Sequence, residues 1–294
     1  MSEAVHIGDE KRIDWLFWLG VSIVTVVIFL AAFGPSIAPY DPTLATMRVA
    51  VPPPGLAEWP GLFWASLTGT VEQPVHWFGT DATGFDIFSR VISAPRVDLT
   101  IALAANGLSL VLGVFLGLIA GYFRNIFTEG MMRVSDVLQS FPVFISAMIL
   151  VALAGRSTVN IVIALALLYT PIYIRLTRSE VLSQRVRGYV EAARALGNPE
   201  IVVALRHVLP NSLAPALIQS SVTIGFAILL TAGLSFVGAG VRPPAPEWGL
   251  MISSGANQII LGEWWPSVFP GIAISLTVFG FAVLGNALER RYDA

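Results

Sequence analysis

Few residues of this chain are suited to covalent chemistry. Cysteine is absent, so there is no disulfide framework, no thiolate metal site and no cysteine nucleophile. The only lysine, Lys11, stands in a polar tail outside any Gly-Lys-Ser/Thr run, so a Walker-type phosphate loop is missing and ATP-driven work requires another subunit. No metal or cofactor site is expected. What remains is recognition, concentrated from Tyr189 to Pro210 in YVEAARALGNPEIVVALRHVLP, a charged, small-residue-rich segment set between apolar runs.

Local propensities give this segment a shape. Tyr189 to Leu196 favours helix, and Ala192, Ala193 and Ala195 present so little bulk that another surface can approach the backbone closely. Gly197 supplies a permissive helix end, and Asn198-Pro199 blocks simple continuation while opening the next helix. Glu200 to Val208 then reads as a second short helix stopped by Pro210. Two short helices at an angle form either a rigid docking knob or an amphipathic linker lying on a membrane surface.

The elements that must position this segment are membrane helices. Of the 294 residues 55% are hydrophobic and 12% charged, and the mean hydropathy is +0.74, more apolar surface than one soluble core can hide. Spans of roughly 20 apolar residues are read at Trp15–Ala38, Val97–Tyr122, Val137–Ala154, Thr158–Ile174, Pro215–Gly238 and Trp265–Leu288. None alternates in polarity as the strands of a membrane barrel do. The third and fourth are separated only by Gly155, Arg156 and Ser157, which predicts a tight helical hairpin. The first run is longer than the apolar region of a secretory signal, so it is read as a retained span.

An even number of spans places both termini on one side. Twelve basic residues lie in the tail, the second-to-third loop, the fourth-to-fifth loop and the C-terminus, against 5 on the other side (Arg48, Arg90, Arg96, Arg156, Arg242). That bias predicts cytoplasmic termini and a cytoplasmic docking segment. It also accounts for the loop arginines, and the net charge of −2 argues against a nucleic-acid surface. The expected organisation is a tail at 1–14, a first helix at 15–38, an extracytoplasmic segment at 39–96, a transmembrane core at 97–288 with the docking loop at about 175–213, and a cytoplasmic end at 289–294.

The segment 39–96 carries Pro52–Pro54 and Trp59, Trp64 and Trp77, too polar and proline-broken to span. It reads as a structured cap or surface-lying tether of the first helix, with a receptor contact as the sharper alternative. Trp248 to Trp265 is expected on the same face, its tryptophans at headgroup depth. Gly113, Gly117 and Gly121 form a bare stripe for close helix packing, within the chain or between copies. Pro142 and Pro171 favour bends in the third and fourth spans. The charges nearest the spans, Asp98, Asp136, Arg175 and Glu289, sit at their edges, which weakens the reading as a proton- or sodium-coupled carrier. Ser220, Ser221, Thr223, Thr231 and Ser235 put hydroxyls on the fifth helix, where they either line a path or bond their own backbone.

The pattern Glu191-Ala192-Ala193, three residues, Gly197, nine residues, His207-Val208-Leu209-Pro210 resembles the EAA loop of permease subunits in binding-protein-dependent ABC importers. The form RHVLPN, with HWFGTDATGFDIFSR from His76 and SFVGAGVRPPAPEWG from Ser235, resembles the C-type permease of dipeptide, oligopeptide and nickel importers. The likeness runs from about His76 to the C-terminus. It implies an all-α, six-helix type I importer permease in the bacterial inner membrane. The implied partners are a related B-type permease subunit, two ABC ATPase subunits and an extracytoplasmic solute-binding protein. The implied cargo is short peptides, with nickel chelates, oligosaccharides and other small solutes as alternatives. On that likeness Glu191 anchors the ATPase, Ala192 and Ala193 permit close approach, Gly197 sets the angle, and Arg194, His207 and Pro210 contact the partner or brace the loop. Phe85 departs from the family pattern, which usually has arginine there.

Overall fold

The computed structural model describes residues 3–46, 49–70, 74–123 and 125–293, with side chains described from Trp15 to Tyr292. Arg48 and Arg124, and the side chains of Lys11 and Arg12, all counted in the charge bias, lie outside the described residues. Among the described residues the architecture is helical, with one isolated bridge between Thr80 and Asp86.

The long helices are α1 (Glu3–Ile37), α4 (Pro95–Tyr122), α7 (Thr158–Gln184), α11 (Ala214–Phe236) and α13 (Trp265–Asp293). Short helices lie between them: α2 (Trp59–Leu67), α3 (Ile87–Ser93), α5 (Ile126–Gln139), α6 (Val143–Ala154), α8 (Gly188–Ala195), α9 (Glu200–Val202), α10 (Leu209–Asn211) and α12 (Trp248–Ala256). Among the described residues five segments are long and apolar enough to cross a bilayer, with α3 and α4 together making one of them (Ile87–Tyr122), and α5 with α6 makes a sixth if the bent pair is one span. The third span carries the bend expected at Pro142, sharp enough to divide it into two helices. Pro142 disfavours helix in the residue before it, and the run Val137–Ala154 breaks there, its two arms meeting at 95°. Pro171 does not interrupt α7.

Local chemistry sets the turns. Ser157 caps α7 by accepting from the Asn160 N–H at 3.1 Å, while Asn160 Nδ2 donates to the Ala154 and Gly155 carbonyls at 2.8 Å each. This closes the expected α6–α7 hairpin. Asn125 and Thr128 make a reciprocal cap on α5.

The tightest packing joins α4 to α7 along the glycine stripe. A Cβ on Gly117 would lie 2.8 Å from the Ile174 carbonyl oxygen, and one on Gly121 would lie 2.7 Å from Val181 Cγ1. Gly113 meets Tyr173 in the same way. The stripe thus serves packing inside the chain, where removing side chains lets two backbones meet.

At one end of the bundle, the described residues between 38 and 86 form a cap over the helix ends. Asp81 Oδ1 accepts from the Thr83 N–H at 2.9 Å and the Phe85 N–H at 3.0 Å, folding the turn of the FGTDATGFD run. Asp86 caps α3 through the Ser89 N–H at 2.7 Å and meets His76 Nδ1 at 2.7 Å. The Arg90 guanidinium ties the cap together by donating to the carbonyls of Pro42 (2.9 Å), Pro244 (3.2 Å) and Ala245 (3.3 Å). Phe85, standing where arginine was expected, lies with its ring 4.5 Å from that guanidinium, a cation–π contact.

Two expectations are corrected here. Trp248 is packed inside the protein and not open to a membrane surface: it is buried, its indole N–H donating to the Val91 carbonyl at 3.0 Å. Trp265 is likewise buried, bonded to the Thr80 carbonyl at 2.9 Å, while Trp264 stays exposed. Asp98, read as an edge charge, is 1% exposed and faces Glu247, which is 0% exposed. Trp248 N–H donates to Asp98 at 3.3 Å, and Glu247 caps α12 through the Gly249 (3.0 Å) and Leu250 (2.6 Å) N–H groups. Burial, set against those two bonds, holds the Glu247 carboxyl above its ordinary range.

Candidate functional site

At the opposite end of the bundle α8 stops where its sequence lets it. Gly197 takes φ +81°, its N–H reaches the Arg194 carbonyl at 2.9 Å, and Asn198 closes on the Ala193 carbonyl through Nδ2 at 2.9 Å. This is a left-handed helix end that glycine adopts without strain. Pro199 then opens α9, with the Val203 N–H bonding to its carbonyl at 3.0 Å.

The second arm differs from expectation. Helix continues beyond Pro210 to Asn211, by way of a widened π turn at Val203–Val208. Proline lacks the N–H of an α-helical bond and crowds the preceding turn, and widening relieves the crowding. Side chains cover the loosened carbonyls: Asn211 Nδ2 donates to His207 O at 2.7 Å and Ser212 Oγ to Val208 O at 2.9 Å.

The two arms make a knob with its own core. Val190, Ala193, Val203, Ala204 and Val208 bury against Leu118 and Tyr122 of α4 and Val181 of α7. Ala193 is therefore turned inward, whereas Ala192 and Ala195 are exposed. Glu191 is exposed, and its carboxylate has no partner among the described residues. His207 is half-buried, its imidazole likewise unbonded among them. Arg194 is engaged within the chain, with Nε 3.1 Å from Glu200 Oε1. Pro210 is exposed on the second arm.

Leu196 and Ile201 were missed by sequence reasoning. They flank the glycine break at 84% and 61% exposure, an apolar tip that nothing among the described residues covers. The available signal was their placement either side of Gly197-Asn198-Pro199, since apolar residues at a turn tip find no core.

The hydroxyls of α11 divide by the face they occupy. Ser221 donates to the Phe281 carbonyl at 2.8 Å, Ser235 accepts from the Val241 N–H at 3.2 Å, and Thr231 is fully buried. These three point into the bundle. Ser220 bonds its own helix at Ala216, and its Oγ lies 3.4 Å from the Tyr173 hydroxyl, whose one proton goes to buried Asn106 Oδ1 at 2.5 Å. Thr223, itself buried and accepting from Gln219 Nε2 at 3.4 Å, is the one of the five that borders an open groove of about 620 Å³, together with Gln219, Tyr169, Phe144 and Phe226. Gln219 and Tyr169 are the polar groups the sequence reading passed over. The groove is mostly apolar, free of formal charge, and bounded by α6, α7 and α11.

Residues 113–294 match the family described as binding-protein-dependent transport system inner membrane component. The chain is 35% identical over 274 residues to a di/tripeptide transport system permease protein, DppC, of Pseudomonas aeruginosa, covering 93% of this chain and 86% of that one. It is 36% identical to the dipeptide transport system permease protein DppC of Alkalihalophilus pseudofirmus, covering 94% and 84%. A glutathione transport system permease protein, GsiD, of Pectobacterium atrosepticum is 36% identical over 218 residues, 74% of this chain and 72% of that one. Among solved structures, the crystal structure of an amino acid ABC transporter with histidines aligns at a TM-score of 0.53 and 17% identity, covering 69% of this chain and 94% of that one, a likeness of fold.

Proposed function

The chain belongs to the family of binding-protein-dependent transport system inner membrane components, and from that premise we propose that it forms half of the translocation path of an ATP-driven importer of short peptides. It is a transport permease of the inner membrane. The observation that carries the coupling role is the knob: two short helices locked at an angle, with a free carboxylate at Glu191 and an exposed apolar tip at Leu196 and Ile201. Such a tip fits a cleft on an ATPase subunit, where desolvating two large aliphatic side chains supplies affinity and Glu191 supplies register. Ala192 permits close approach, His207 and Pro210 lie along the second arm, and Ala193 and Arg194 act inside the knob.

Two ATPase subunits, a related permease subunit and an extracytoplasmic binding protein complete the assembly, with ATP hydrolysis on the ATPases. The knob then lies in the cytoplasm and the cap of residues 38–86 outside. Closure of the ATPase pair moves the knob as a rigid body and swings the helices that border the groove. A groove without formal charge suits peptides of varied sequence, because a fixed charge would favour some side chains and repel others; Gln219, the half-buried polar side chain of the lining, offers a neutral hydrogen bond to the peptide backbone.

The test is uptake of labelled di- to pentapeptides into vesicles holding the reconstituted complex, with ATP inside and binding protein outside. Saturable, ATP-dependent peptide uptake is expected. Saturable uptake of a sugar or metal chelate with no peptide uptake overturns the cargo and leaves the permease role standing.

A further inference from the structure

The knob is fastened to a helix that is remote from it in sequence. Arg194 of α8 donates through Nε to both Glu200 oxygens, at 3.1 and 3.3 Å, and through Nη2 to the Tyr122 hydroxyl at 3.2 Å. The same hydroxyl donates to Glu200. Tyr122 ends α4 and lies 72 residues from Arg194, and its ring is buried in the knob core. From the other side Arg185, which follows α7, donates to the Gly121 and Tyr122 carbonyls at 3.1 and 3.2 Å. Those carbonyls belong to the last turn of α4 and have no helical partner of their own, so a cation there is well placed.

Relative strengths decide which member of this group matters. The Arg194–Glu200 pair is half-exposed on both sides, and such pairs contribute little alone. The Tyr122 hydroxyl differs, because it projects from a buried ring and bridges both charged partners. It also holds the Glu200 carboxyl below its ordinary range, ahead of the contribution from Arg194, so Glu200 is an ionised acceptor at neutral pH.

We propose that Tyr122, gripped by Arg194 and Glu200, is the positioning residue that delivers motion of the knob directly to α4. This rests on the reading of the knob as an ATPase dock. Without the grip, the knob meets α4 only through the non-directional apolar contacts of its core with Leu118 and the Tyr122 ring, and otherwise moves it by way of α7 and α11, the helices that adjoin the knob in sequence. With it, the knob, α4 and α7 move as one body, since Gly117 and Gly121 already seat α4 against α7. Asn106 on α4 then draws on Tyr173 at the level of the groove helices.

The experiment uses Tyr122→Phe in the complete importer, a change that keeps the buried ring and deletes the hydroxyl. The readout is peptide moved per ATP hydrolysed, a ratio that does not depend on how much complex folds or assembles. The expected result is stimulated ATPase with an unchanged KM for ATP and a ratio lowered about fivefold or more. Glu200→Gln should lower it similarly, and the double variant no further, because the two act as one unit. A parental ratio in Tyr122→Phe, or losses that multiply in the double variant, overturns the proposal. A second measurement needs no substrate: spin labels on cysteines at Ala195 and Phe123, in this cysteine-free chain, should keep one separation with and without ATP in the parent and lose it in Tyr122→Phe. Labels that separate in the parent when ATP binds overturn the proposal by themselves. Absence of peptide uptake with a constant label separation counts against the cargo assignment and leaves the brace intact.

Discussion

Replacing Gly197 tests whether the knob works through its backbone angle. Gly197 sits at φ +81°, and a Cβ built there meets nothing within 4 Å. The cost of any side chain is therefore conformational, with no steric part from neighbours. An L-residue held in the left-handed region costs about 1–2 kcal/mol, while asparagine visits that region more readily. A penalty of that size shifts the angled knob against alternative arrangements by a factor of about 5–30. β-Branched valine should lose most of the correctly angled population, alanine should fall between, and asparagine should stay near the parent. The assay is peptide moved per ATP hydrolysed by reconstituted complexes, together with amide exchange across α8 and α9, which should quicken in the same order. Equal behaviour of Gly197→Val and Gly197→Asn would refute the argument, since the two have similar bulk and differ in tolerance of positive φ.

Glu191→Arg should leave the subunit inserted but lower ATPase-coupled transport more than Glu191→Gln does, measured as uptake against co-purified ATPase; normal transport by both would remove its anchoring role. Gly117→Val places a Cβ 2.8 Å from the Ile174 carbonyl oxygen and should destabilise the α4–α7 contact by about 1–3 kcal/mol, read as a lower thermal midpoint in detergent. Glu247 holds its proton longer in the folded state than unfolded, so its contribution is full below the ordinary value of 4.5 and is lost as pH climbs through the raised folded value. Thermal stability should therefore fall as pH is raised above that ordinary value, and Glu247→Gln should flatten that slope; an identical slope in the variant would count against the assignment. For topology, an impermeant thiol reagent should label a cysteine at Glu58 from outside and spare one at Ser183; the reverse pattern would invert the orientation.

Much of this protein is legible in one dimension because the bilayer leaves a chain little choice. Backbone groups in hydrocarbon must bond within their own segment, so each long apolar run declares a helix. The angled knob is legible for a similar reason: Gly197 and Pro199 restrict φ and hydrogen bonding locally, whatever surrounds them. The glycine stripe announces close packing by the absence of side chains. Each of these signals is held by neighbours in sequence.

Tertiary structure decided what depends on residues far apart. Asp98 looked like an edge charge until α12 folded over it, bringing Glu247 from about 150 positions away. Trp248 carries the composition of an interface anchor, yet α3 gives its indole a buried carbonyl at Val91. The serines and threonines of α11 are equivalent as a list, and only the packing of the bundle gives Ser221 the Phe281 carbonyl while Thr223 pairs with Gln219 beside the groove. The apolar run Val137–Ala154 has the length of a span, and the bend at Pro142 depends on where α5 and α6 find their neighbours. Arg194 and Tyr122 meet for the same reason: helix faces are set by local periodicity, but which faces meet is set by packing the whole bundle at once.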